Sequence, residues 1–159
     1  MKKIIISPFS KKLRRFNLNE PEKDNPKNYP FWEDVVKLLR SKGYYVIQVG
    51  VSGELQIGAN EVRYDLSLKD LKKLLDEVDT WASVDNFFNH FATYYKKRGV
   101  VVFGRSDPKI YGYPVNINLL KDKKFLRTDQ FGLWESLDFK QDVFVEPYMV
   151  VSAIETIFV

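Results

Sequence analysis

At 159 residues, with 45% hydrophobic and 15% aromatic residues, the chain is long enough for one domain with a sizeable core and is not generally disordered. It has no cysteine, which excludes a disulfide framework and a thiolate metal site, and no apolar run approaches the roughly 20 residues of a membrane helix. A net charge of +4 is mild; it favours an anionic ligand without requiring one.

Met1-Lys2-Lys3 leads into a short apolar run that ends at Pro8, too short for a secretory signal, so a cytoplasmic protein is expected. Lys3–Ser7 is an unbroken β-branched run, as in a parallel strand buried on both faces. A polar turn, Ser7-Pro8-Phe9-Ser10, follows. Residues 11–29 are rich in Lys, Arg, Asn, Glu and Pro and read as a long loop. Pro30 is placed at the first position of a helix whose apolar residues Trp32, Val35, Val36 and Leu39 repeat until Gly43 stops it. Residues 44–50 form a second buried strand. Residues 51–65, with Gly53, Glu54 and Gly58, read as a loop. Ser67 and Asp70 resemble a capping box for a helix with a stripe of Leu68, Leu71, Leu74, Leu75 and Val78.

The centre of the chain is residues 79–108. Trp81–Val84 is a third strand and Asp85 its expected helix cap. Phe87, Phe88, Phe91 and Tyr95 are placed on one helical face, with Lys96, Lys97 and Arg98 in the last turn before Gly99. Val101–Phe103 is a fourth strand, and residues 115–120 are a candidate fifth. Phe131 and Trp134 are expected to cover the sheet. Glu146-Pro147 opens a last helix with Val150, Val151, Ile154, Ile157 and Phe158 as its stripe. The order β-α-β-α-β-α-β-β-α predicts a single doubly wound, Rossmann-like α/β domain over residues 1–159, with a mainly parallel sheet and its ligand edge at the strand C-termini.

Several motifs lie along this frame in a fixed order: Lys27-Asn28-Tyr29-Pro30, Gly50-Val51-Ser52-Gly53-Glu54, Asp85-Asn86-Phe87-Phe88-Asn89-His90 and Phe103-Gly104-Arg105-Ser106-Asp107-Pro108. With the hydroxyl-bearing turn after the first strand, they resemble the C-terminal, donor-nucleotide half of family 9 glycosyltransferases, the heptosyltransferase-like enzymes of the GT-B fold. Asn86-Phe87 stands where that family has Ser-Gly, and only the donor half is expected within this chain. The resemblance implies binding of a nucleoside-diphosphate sugar as donor substrate, with no separate cofactor and no metal. The acceptor half would come from a partner chain or a homodimer.

The residues themselves admit these roles beside plainer ones. The amides of Asn86–Phe88 at a helix start suit an anion. Lys27 sits where its ammonium would reach a phosphate, whereas Lys11, Lys12, Arg14, Arg15 and Lys23 read as solvated loop charges. Ser7 and Ser10 either donate hydroxyls to that phosphate or cap a turn. Glu54 either takes the ribose hydroxyls or is an exposed loop acid. Asp85 and His90, the only histidine, either face the site or serve the helix. Asp107-Pro108 shapes its turn. A receiver domain is disfavoured because Ser7-Pro8 stands where an acidic pair is needed. Nucleic acid is disfavoured because the basic stretch Lys11–Arg15, with Phe9 and Phe16, is local. No P-loop is present. The two alternatives to a transferase are a non-catalytic nucleotide or nucleotide-sugar binding module and a structural protein that retains the fold.

Overall fold

The computed structural model describes residues 1–10, 25–132 and 137–159. Six parallel strands form one sheet in the order β3-β2-β1-β4-β5-β6. They are β1 (Lys3–Ser7), β2 (Tyr45–Gly50), β3 (Glu61–Tyr64), β4 (Thr80–Val84), β5 (Val100–Phe103) and β6 (Ile117–Leu120). The helices are α1 (Trp32–Ser41), α2 (Leu68–Glu77), α3 (Phe87–Tyr94), the single turn α4 (Pro108–Tyr111) and α5 (Pro147–Ile157). The order of strands reverses between β1 and β4, which is where doubly wound sheets open a crevice.

Successive strand residues point to opposite faces, and both faces are covered. Ile4, Ile6, Val46, Val84 and Val102 meet Trp32, Val36 and Leu39 of α1 and Val150 and Ile154 of α5. On the other face Ile5, Ile47, Trp81 and Val101 meet Leu71, Leu74 and Leu75 of α2 and Phe88 and Ala92 of α3. Each such aliphatic side chain contributes about 1.5–3 kcal/mol by leaving water. That two-sided burial is why the strands read as unbroken apolar runs. No helix among the described residues is long and apolar enough to cross a membrane.

The structure corrects several expectations. β3 lies inside the stretch read as a loop: its Glu-Val-Arg-Tyr sequence is only half-buried at the sheet edge, so it carries no apolar run. No helix joins β2 to β3. Instead the fully buried Gln48 holds the crossover, donating from Nε2 to Leu55 O (2.9 Å) and accepting from Ile57 N (2.9 Å), while Asn60 Oδ1 accepts from Val46 N (2.9 Å). The first helix begins at Trp32, two residues after Pro30. Leu68 lies off the α2 stripe and is exposed. Phe131 is 83% exposed and covers nothing, and Trp134 lies outside the described residues.

α3 departs most. Its cap is Asn86, whose side chain accepts from Asn89 N, and not Asp85. Its buried face is Phe88, Asn89 and Ala92; Phe87 and Tyr95 are exposed. The helix ends at Tyr94, so Lys96–Arg98 are not in its last turn. Lys96 takes the left-handed conformation (φ 60°), with Lys97 N donating to Ala92 O (3.1 Å) and Lys96 N to Thr93 O (2.9 Å), a Schellman closure. α1 closes in the same way with Gly43 at φ 87°. Gly99 is needed for a different reason: a Cβ there would lie 2.2 Å from the Trp81 ring.

Candidate functional site

The site is built at the β1/β4 switch point from loops that lock onto one another. β1 runs out into Ser7-Pro8-Phe9-Ser10, and the Asn86 amide spans the gap to it. Nδ2 of Asn86 lies 3.2 Å from Ser7 O, 3.0 Å from Ser7 Oγ and 3.2 Å from Phe9 O. One side chain thus caps α3 through its oxygen and pins the β1 loop through its nitrogen. Trp32 Nε1 donates to Pro8 O (3.0 Å) from the other side.

Residues 25–29 are equally fixed. Asn25 Nδ2 donates to Ser10 O (2.8 Å), Ser10 N donates to Asn28 Oδ1 (2.8 Å), and Lys27 N donates to Asn25 Oδ1 (2.9 Å). Tyr29 anchors the segment in the core, its hydroxyl donating to Val145 O (2.8 Å) and its ring edge-on to Trp32 and Phe144. Burial, with Glu146 and then Asp34 nearby, pushes the Tyr29 phenol far above its ordinary value, so it stays a donor at every physiological pH. This scaffold delivers Lys27 Nζ to 3.1 Å from Asp85 Oδ2, with side-chain exposures of only 19% and 10%. His90 Nε2 lies 4.0 Å from the other Asp85 oxygen, and His90 Nδ1 is 2.7 Å from the Tyr113 hydroxyl.

The result is an open cleft of about 460 Å³ at the C-terminal edge of the sheet. Ser7, Ser10, Lys27 and Glu54 line it together with Asp85, Asn86, Phe87 and His90. All the site residues proposed from sequence are therefore brought to one place, though their ligand roles are a separate matter. The Glu54 carboxylate folds back over Gly50, where a Cβ would meet Oε2 at 2.1 Å; that close approach is what the glycine permits. Lys27 is not a solvated loop lysine but half of an ion pair. Lys11, Lys12, Arg14, Arg15, Phe16 and Lys23 lie outside the described residues.

Sequence reasoning missed Arg63 and Asp65, which line the cleft from the end of β3. They were invisible because β3 itself was read as a loop. Tyr113 was missed too, since nothing local ties it to His90 on α3. Two residues of the Phe103–Pro108 motif have structural roles: a Cβ on Gly104 would meet the Phe144 ring at 2.6 Å, and Asp107 Oδ1 accepts from Lys109 N (2.9 Å) to start α4. Among the described residues, no group of three or more His, Asp or Glu side chains converges as a metal site.

No protein-family model matches the chain, and no curated protein matches it in sequence. Solved structures do match in fold. An E. coli ADP-heptose LPS heptosyltransferase II superposes with a TM-score of 0.70 at 15% identity, covering 98% of this chain and 46% of that one. A family 9 glycosyl transferase from Veillonella parvula gives 0.70 at 17% identity, covering 98% and 45%. E. coli heptosyltransferase WaaC, solved with ADP, gives 0.61 at 16% identity, covering 98% and 44%. The chain thus spans less than half the length of these structures, and over nearly all of its own length it shares the fold of family 9, heptosyltransferase-like glycosyltransferases.

Proposed function

We propose that the cleft binds a nucleoside-diphosphate sugar and that the domain is the donor-binding part of a glycosyl transfer. One observation carries the reading: residues picked from separate motifs, from Ser7 to His90, line a single cleft at the switch point of this fold. In this scheme Glu54 faces the ribose hydroxyls and the diphosphate lies at the start of α3. The first N–H groups of a helix have no acceptor within it, so those of Phe87 and Phe88 are aimed at such an anion. Lys27 Nζ adds a cation beside them. When the bond from the sugar's anomeric carbon to the diphosphate oxygen breaks, the electron pair leaves with the diphosphate. Donors fixed in advance stabilise that charge without reorganising. A partner chain or a second copy would supply the acceptor and its base, and the cytoplasm would supply the donor. The scheme needs no metal ion and no further cofactor.

Specific observations favour a second reading, a nucleotide-binding module without transfer. Both cations lining the cleft are engaged with carboxylates, Lys27 with Asp85 and Arg63 with Glu61 (2.5 Å), while Glu54 and Asp65 also line it. The exposed Phe87 ring stands at the helix start. Such a lining is kinder to a nucleoside than to a diphosphate. Calorimetry and thermal shift with ADP, UDP, their sugars and the bare nucleosides separate the two. Diphosphates binding much more tightly than nucleosides, together with release of the sugar from a bound donor, support the transferase reading; binding without sugar release supports the module; and no binding overturns both. A ligand at 100 times its Kd adds about 2.7 kcal/mol of stability, which is well within reach of a melt.

A further inference from the structure

We propose that Tyr113 is a positioning residue for His90: it holds the imidazole in the tautomer that carries its proton on Nε2 and turns that N–H toward the cleft. The inference rests on the cleft being a nucleoside-diphosphate site, where such a donor meets the anion. The geometry is specific. The Tyr113 hydroxyl is 2.7 Å from His90 Nδ1, and the two rings meet edge-on with centroids 5.5 Å apart at 82°. Nε2 lies 4.0 Å from the Asp85 carboxylate, an environment that favours a proton on that nitrogen over a lone pair. With Nε2 protonated, neutral imidazole has only a lone pair at Nδ1, so the tyrosine must donate.

Tyr113 is itself held in place by its own backbone. Its carbonyl accepts from Asn116 N (3.0 Å) and from Asn118 Nδ2 on β6 (3.0 Å). The preceding Gly112 leaves α4 so tightly that a Cβ would lie 2.6 Å from Pro108 O. The backbone of the turn after α4 is thus fixed, and it carries the tyrosine hydroxyl to a histidine 23 residues before it. A surface histidine, half-exposed as His90 is, would otherwise sample both tautomers and several rotamers.

Because His90 is the chain's only histidine, its ring nitrogens are directly readable by long-range proton–nitrogen NMR at alkaline pH. The wild type is expected to show a protonated Nε2 and a hydrogen-bonded, unprotonated Nδ1. In Tyr113→Phe the two nitrogen frequencies should move toward the values of an imidazole with mixed tautomers. The ADP Kd should rise about three- to tenfold, the scale of one hydrogen bond, while adenosine binding is unchanged. In a His90→Ala background Tyr113→Phe should change the ADP Kd no further. Unchanged ring frequencies in Tyr113→Phe, or a wild type protonated on Nδ1, overturn the inference. If the wild type binds no ADP, the reading of the cleft fails, and the NMR comparison alone then decides whether Tyr113 controls His90.

Discussion

Gln48 in β2 and Asn89 in α3 are both fully buried amides, yet their surroundings differ completely. Gln48 spends its oxygen on Ile57 N and its nitrogen on Leu55 O, and the whole β2–β3 crossover closes around it. Asn89 has no hydrogen-bond partner on either amide atom among the described residues. The first amide lies at a seam that is finished internally. The second lies in the first turn of α3, on the face that the helix buries, and is not among the residues lining the cleft. An unmet buried amide costs stability. The contrast is between an amide on which a crossover closes and an amide that its helix carries at a cost in stability.

The largest expected effect tests the finished seam. Gln48→Leu strands the Ile57 N–H and the Leu55 carbonyl, and chemical denaturation should show a loss of about 2–4 kcal/mol. A loss below half a kcal/mol would mean that the crossover does not depend on this clasp. Next comes the open side. Lys27→Ala should weaken ADP binding by about 1.5–3 kcal/mol, the scale of a hydrogen bond to a charge, with adenosine affected much less. It should also lower folding stability, because Asp85 is left poorly solvated; equal losses for ADP and adenosine would remove Lys27 from the diphosphate.

Asn89→Leu sharpens the comparison by the opposite sign. Replacing an unmet amide by an apolar side chain of similar size should raise the unfolding free energy by about 1–2 kcal/mol. A destabilised variant would show that the amide has a partner in solution. The smallest effect is expected far from the cleft. α1 and α3 use the same C-terminal closure, but α3 places Lys96 where α1 has Gly43. Lys96→Gly should therefore stabilise the protein by about 0.5–1 kcal/mol in a thermal melt, leaving ADP binding untouched.

The strands flanking the site were legible because burial on both faces demands unbroken apolar runs: Lys3–Ser7 was placed residue for residue, and β2, β4 and β5 within one. Parallel pairing followed from the alternation with helices, and the C-terminal edge followed from the pairing. The cleft residues were legible for the same reason, since loops after neighbouring parallel strands must open on one side. Sequence also placed Ser67 as the cap of α2, because an N-cap is a contact across three residues. Tertiary structure decided everything that depends on a contact between distant segments. A half-buried edge strand such as β3 is specified by the partner it adds to. The face that α3 buries was set by the sheet beneath it, where Phe88 meets Trp81 edge-on and the small Ala92 lets the helix approach; of the expected face Phe87, Phe88, Phe91 and Tyr95, only Phe88 and Phe91 pack on that core, and Phe87 and Tyr95 are exposed. The pairing of Lys27 with Asp85, 58 residues apart, and of His90 with Tyr113 has no local signal, because charge and hydrogen bonding act through space and the chain between the partners carries no record of where its ends will meet.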